Sequence, residues 1–189
     1  MKNTYQKLRP IVSKTMQVLF RPEISFEEEI PEEGKILLAG NHISNFDPLL
    51  LTTLTKRQIH FMAKQELFDS FLKPLMEAVE SIPVKRNAND INCVRMAIDY
   101  LNQEKCVLIF PEGTTNKTDN ILLPFKLGTV LIAKRSKAPI FPFAITGQYK
   151  LIKNNLKLKV GKRIDPNLYT SNELLEKIES DVKRLILKR

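Results

Sequence analysis

The sequence predicts an α/β domain in which helices cover a largely buried sheet. Short apolar runs such as Ile36-Leu37-Leu38-Ala39 and Cys106-Val107-Leu108-Ile109-Phe110 have the length and continuity of strands buried on both faces. Longer segments with apolar residues at helical spacing stand between such runs, and that alternation is the pattern of helices packed on a sheet. A length of 189 residues, with 43% hydrophobic and 27% charged side chains, suits one domain with a proper core. No interior linker, repeat or low-complexity tract divides it.

Residues 3–20 place Leu8, Ile11, Val12, Met16 and Leu19 on one helical stripe, with Lys7, Lys14 and Gln17 off it. Pro10 has no amide proton, so the continuous helix is expected to begin near it. Such a helix suits an interfacial anchor on an anionic bilayer and equally a helix packed on its own domain. The chain divides accordingly into a membrane-associating segment, residues 1–22, and the main domain, residues 23–189. Residues 24–26 read as extended and Pro31-Glu32-Glu33-Gly34 as a turn. A strand at 35–39 leads through Gly40-Asn41-His42-Ile43-Ser44-Asn45-Phe46-Asp47-Pro48 into the first helical turns at Leu49-Leu50-Leu51.

A strand at 59–63 follows, then a helix over 64–79 in which Pro74 is a kink or break. Residues 82–86 read as extended, and Asp90 caps a helix running to residue 103. A strand at 106–110, a helix at 125–134 and strands at 140–145 and 156–160 come next. The last helix spans 171–188, capped by Ser171, with Leu174, Leu175, Ile178, Val182 and Leu185 inward.

A net charge of +9 implies attraction to something anionic: nucleic acid, a lipid surface, phosphorylated substrates or an acidic protein. The charge is uneven, since residues 1–22 hold Lys2, Lys7, Arg9, Lys14 and Arg21 with no acid. No aromatic residues interleave with a basic groove, which argues against nucleic acid. Cys93 and Cys106 lack CxxC or metal-ligand spacing and read as buried reduced thiols, in keeping with a cytosolic compartment. No apolar run reaches the ~18 residues of a spanning helix, and no signal peptide is apparent. The expectation is a protein that lies on a membrane without crossing it.

Chemistry concentrates in two loops. His42 stands at a strand-to-helix junction, and Asp47 follows within reach of the imidazole. A histidine oriented by a carboxylate is the minimum equipment of a general base. The alternative is a histidine packed beside the helix and an ordinary first-turn acid, and this stretch alone leaves both open. In Phe110-Pro111-Glu112-Gly113-Thr114 a buried strand ends in a sharp turn, and strand ends are where α/β proteins place sites. A plain surface turn is the alternative. His60 belongs to a strand and receives no catalytic assignment.

The order of these segments resembles the glycerolipid acyltransferase family of bacterial 1-acylglycerol-3-phosphate acyltransferases. The resemblance rests on His42-x4-Asp47 within NHxSxxD, on Ala63-Lys64-x-Glu66-Leu67-Phe68, and on Ile82-Pro83-Val84-x-Arg86. It continues with FPEGT, then Pro124-Phe125-Lys126-x-Gly128 and Ala138-Pro139-Ile140-x-Pro142, and runs from residue 25 to 165. It implies a single-domain mixed sheet flanked by helices, with an N-terminal amphipathic helix. The implied reaction moves an acyl group from acyl-acyl carrier protein or acyl-CoA to the 2-hydroxyl of lysophosphatidic acid, giving phosphatidic acid.

In that family the histidine is the base. The resemblance therefore makes His42 the base and Asp47 its orienting carboxylate. Lys64 and Arg86 would bind the acceptor's phosphate, and Glu112, Gly113 and Thr114 would line the acceptor side. The thioester supplies the leaving group, so neither metal nor cofactor is needed. The implied location is the cytoplasmic face of the cell membrane, peripheral or monotopic, in contact with anionic lipid. Two residues depart from the family pattern: Thr115 where arginine usually follows FPEGT, and Glu80 where the second block commonly starts with glycine. Both are expected to bear on acceptor recognition. Two other readings stand beside this one: acylation of another lysophospholipid or glycerol-phosphate acceptor, and a non-catalytic basic protein binding lipid or nucleic acid.

Overall fold

A computed structural model describes residues 4–85 and 90–188. In chain order, helix α1 (Thr4–Phe20) precedes strands β1 (Glu23–Phe26) and β2 (Ile36–Gly40), then helix α2 (Asp47–Leu51). Strand β3 (Ile59–Lys64) is followed by short helices α3 (Gln65–Phe68) and α4 (Lys73–Ala78), strand β4 (Ile82–Val84) and helix α5 (Ile91–Asn102). Strand β5 (Cys106–Ile109), helix α6 (Gly128–Ser136), strands β6 (Ile140–Thr146) and β7 (Lys157–Val160) and helix α7 (Ser171–Leu187) complete the chain.

The strands form one seven-stranded sheet in the order β1-β7-β6-β2-β5-β3-β4. Strands β6, β2, β5, β3 and β4 run parallel, whereas β7 is antiparallel to β6 and carries β1 with it. The sheet is thus mixed, as the resemblance implied. Every residue of β2 is buried, because successive side chains enter two separate cores. Leu37 and Ala39 meet α5, α6 and α7 on one face, through residues such as Ala97, Ile132 and Ile178. Ile36 and Leu38 meet Met16 and Phe20 of α1 and Leu50 and Leu51 of α2 on the other.

Parallel strands bring their C-terminal ends to one edge. The loops after β2 and β5 and the last residue of β3 therefore lie along a common rim. Gly40 ends β2 beside Phe143, where an added Cβ would fall 2.2 Å from the Phe143 carbonyl oxygen. Only glycine allows that approach at the point where the chain turns out of the sheet.

Several boundaries differ from expectation. Helix α1 runs through Pro10 without a break. The proline leaves the Gln6 carbonyl without its helical partner, but both residues are exposed and water can serve that oxygen. Burial of Tyr5 on one side and Met16 and Phe20 on the other holds the helix together. The helix expected over 64–79 is two helices, and Pro74 sits in the first turn of α4, where its missing amide costs nothing. Thr170 rather than Ser171 caps α7: its hydroxyl accepts from the Glu173 amide while Glu173 accepts from the Thr170 amide, a capping box. Helix α6 begins at Gly128, later than the residue 125 expected. Both cysteines are free and buried, and burial pushes the Cys106 thiol up to about 12.

Candidate active site

The first loop is held from behind before it presents a histidine. Asn41 is buried, and its side chain both donates to the Ile145 carbonyl (2.8 Å) and accepts from the Ile145 amide (2.7 Å). It thereby extends the β2–β6 pairing past Gly40 and fixes where His42 begins. The His42 Nδ1 lies 2.7 Å from Asp47 Oδ2. That oxygen also accepts the amides of Ile43 (2.7 Å) and Ser44 (2.9 Å), and Oδ1 accepts the Tyr149 hydroxyl (2.6 Å).

Asp47 is fully buried, and this ring of donors replaces the water it lost. A carboxylate so placed accepts the Nδ1 proton, which leaves Nε2 as the lone-pair nitrogen of the neutral ring. The imidazole stacks on Phe110 with centroids 4.0 Å apart, and its side chain is 13% exposed. Among the described residues Nε2 has no hydrogen-bond partner. The arrangement can take up a proton at the rim of the sheet.

Tyr149 was not singled out from the sequence. It reaches Asp47 from 102 residues away and touches Phe20 and Phe46 with ring centroids at 5.2 and 5.7 Å. Burial and the neighbouring Asp47 carboxylate push its phenol far above the ordinary range, so it remains a donor.

The second loop clamps the first. Glu112 is buried; Oε1 accepts the His42 amide (2.8 Å) and Oε2 the Leu123 amide (2.9 Å). Glu112, expected to line the acceptor side, turns its carboxylate inward and holds the backbone of His42. Burial pushes the Glu112 carboxyl up, with its two amide donors acting the other way. The Asn116 amide adds a bond to the His42 carbonyl (2.7 Å).

Gly113 has φ +68, and an added Cβ would fall 2.5 Å from the Lys126 ammonium. Lys126 therefore lies over this loop, a cation that the sequence marks only as part of a helix entry. Thr114 is exposed beside it, and Thr115 is half-buried.

Lys64 ends β3 on the same rim and is exposed. Arg86 lies outside the described residues. Glu80 is elsewhere, at the start of the segment leading into β4 and beside Lys105, which precedes β5. The Glu80 carbonyl lies level with His60 of β3, two strands away from β2 in the sheet order. Its φ is +53, which accounts for a glycine being common there. At this position the departure from the family pattern places a non-glycine residue in a left-handed turn. His60 is buried, with Nδ1 3.1 Å from the Glu80 carbonyl and its ring 4.5 Å from that of Tyr100.

The family model described as Acyltransferase matches residues 21–146. The 1-acyl-sn-glycerol-3-phosphate acyltransferase of Bacillus subtilis is 30% identical over 142 residues, covering 72% of this chain and 70% of that one. A probable 1-acyl-sn-glycerol-3-phosphate acyltransferase of Mycoplasma genitalium is 28% identical over 82% of this chain, which spans 60% of that relative's length. The crystal structure of the acyltransferase PlsC from Thermotoga maritima superposes with a TM-score of 0.75 at 24% identity, covering 97% of this chain and 81% of that one.

Proposed function

The chain belongs to the acyltransferase family, and from that premise we infer that it acylates the 2-hydroxyl of 1-acylglycerol-3-phosphate from a thioester, giving phosphatidic acid. The observation that carries this reading is the 2.7 Å contact between His42 Nδ1 and a buried, fully hydrogen-bonded Asp47. With Nδ1–H held there, Nε2 accepts the 2-hydroxyl proton as that oxygen attacks the thioester carbonyl carbon. The C–S bond then breaks, and the thiol leaves with the proton that the imidazolium returns. Asp47 keeps the ring oriented and stabilises its transient charge.

The phosphate of the acceptor meets cations, of which Lys64 lies on the same rim. Lys64 and Arg86 serve it by position in the family pattern, and Lys126 adds an ammonium above Gly113. With Thr115 in place of the usual arginine, that added lysine supplies charge without the guanidinium fork. The donor is acyl-acyl carrier protein or acyl-CoA, both anionic and both drawn to a chain of net charge +9.

The enzyme works as a peripheral or monotopic protein at the cytoplasmic face of the cell membrane. Among the described residues no helix is long and apolar enough to cross a membrane. Helix α1 buries Tyr5, Met16 and Phe20 in the domain yet leaves Ile11, Val18 and Leu19 exposed beside Lys14. One face thus packs on the domain, and the exposed apolar residues of the other are offered to lipid.

The test is to incubate the protein and a His42→Ala variant with lysophosphatidic acid and labelled acyl-acyl carrier protein or acyl-CoA. Labelled phosphatidic acid is expected from at least one donor, falling ~10²–10⁴-fold in the variant. No His42-dependent product with either donor would refute the reading. Acylation of a zwitterionic lysophospholipid instead would keep the chemistry and change the acceptor.

A further inference from the structure

The turn that carries Tyr149 has two sides, and only the inner one is used by the dyad. Its outer side presents Leu151 and Ile152, 63% and 68% exposed, between the exposed Lys150 and Lys153. Ile152 has φ +59, a left-handed conformation that a β-branched residue rarely adopts. The backbone requirement is plain: from that conformation the Ile152 amide donates to the Leu19 carbonyl (2.8 Å) at the end of α1. Glycine or asparagine would meet the requirement with less strain. An isoleucine there packs nothing in the core, so its side chain points to a use outside the fold.

Its neighbours form a continuous apolar rim. Leu19 and Val18 of α1 are exposed on one side. Phe46, whose ring lies 6.0 Å from that of Phe20 and 5.7 Å from that of Tyr149, is exposed on the other, followed by Leu49. Lys14, Arg21, Lys150 and Lys153 are exposed around this patch. His42 opens on the same face of the sheet, since Phe110 and Ile43 pack in the core that Met16 and Phe20 enter. Apolar side chains ringed by cations match an anionic bilayer, with lipid tails for the one and headgroups for the other.

We propose that residues 149–153 form a second lipid-contacting element, in which Leu151 and Ile152 enter the acyl boundary of an anionic bilayer while Tyr149, from the same turn, holds Asp47. This rests on the acyltransferase reading in one respect: a lysophospholipid acceptor resides in a bilayer, so the mouth of the dyad must face one. The turn then sets the height of His42 above the membrane. Contact with lipid and support of the dyad are joined through a few residues of backbone.

The test uses the full chain and co-sedimentation with vesicles of phosphatidylglycerol and phosphatidylcholine. The paired variant Leu151→Asn/Ile152→Asn is expected to bind these vesicles about tenfold more weakly or worse. Ile152→Gly is expected to bind more weakly while melting at the same or a higher temperature, because glycine relieves the left-handed strain. A role in folding alone would reverse that second result. Leu168→Asn removes an equally exposed side chain beside α6, on the other side of the sheet, and is expected to leave binding unchanged.

Wild-type binding by the paired variant, or equal loss in Leu168→Asn, would overturn the proposal. So would a wild-type dimer in lipid-free buffer that the paired variant dissolves, since the patch would then belong to a second copy. Turnover of a water-soluble short-chain lysophosphatidate by the wild type tests the acyltransferase reading separately. Its absence would remove that reading while leaving the vesicle result to stand or fall alone.

Discussion

His42 and His60 are the two histidines of the chain, and both belong to the parallel part of the sheet. His42 lies just past the C-terminal end of β2, with a carboxylate behind Nδ1 and the rim in front of Nε2. His60 lies within β3, 2% exposed, and its Nδ1 lies 3.1 Å from the Glu80 carbonyl oxygen and 3.6 Å from the Glu80 carboxylate, which Lys105 also pairs. Burial pushes the pKa of His60 down. On the proposed mechanism the same side chain is thus a proton acceptor past a strand end and a packing residue within a strand. Position decides which: past the end of β2 the His42 side chain is 13% exposed, whereas within β3 the His60 side chain is covered on its face of the sheet, at 2%.

Breaking the support of His42, the proposed base, should have the largest effect. Asp47→Asn presents an amide where a carboxylate is needed, favours the wrong tautomer, and should lower kcat ~10²–10⁴-fold in an acyl-transfer assay. Tyr149→Phe leaves Asp47 Oδ1 without its donor. It should cost roughly tenfold in kcat, the order expected for one unsatisfied buried charge contact, with little change in KM for the donor.

The inert histidine should register in stability instead. His60→Asn should destabilise by about 1–3 kcal/mol in denaturant titration, through a lost buried bond, while kcat stays near wild type. Because the folded pKa of His60 lies below its ordinary value near 6.5, the unfolded chain takes up protons first as pH falls. Its contribution is present above that value and is lost on acidification down through the folded pKa. The variant should lose this part of the pH slope of stability.

Glu80→Gly should have the smallest effect, as it relieves a φ of +53 but removes the ion pair with Lys105. A change of under about 1 kcal/mol in either direction is expected, with unchanged activity. Lost activity would place Glu80 in the site after all.

The sequence made the dyad and the second loop legible because both lie in short, local patterns beside apolar runs. The buried strands were equally readable, since β2 and β5 are covered on both faces and carry no polar residue. Tyr149 was not readable: a tyrosine after a glycine turn has no local signature, and its partner lies 102 residues away, past the end of the neighbouring strand β2. Glu112 was visible as a residue, but the direction of its side chain was not. Only the folded chain brings the amides of His42 and Leu123 to it. The helix through Pro10 was missed because the propensity rule was overridden by burial of Tyr5, Met16 and Phe20. The capping box at Thr170-x-x-Glu173 could have been found, since its spacing is in the sequence.

The most direct test assays His42→Ala and His60→Asn side by side, with lysophosphatidic acid and a labelled acyl thioester. Phosphatidic acid formation should fall ~10²–10⁴-fold in the first and stay near wild type in the folded fraction of the second. Equal activity of His42→Ala and wild type, or a loss confined to His60→Asn, would contradict the assignment of the base.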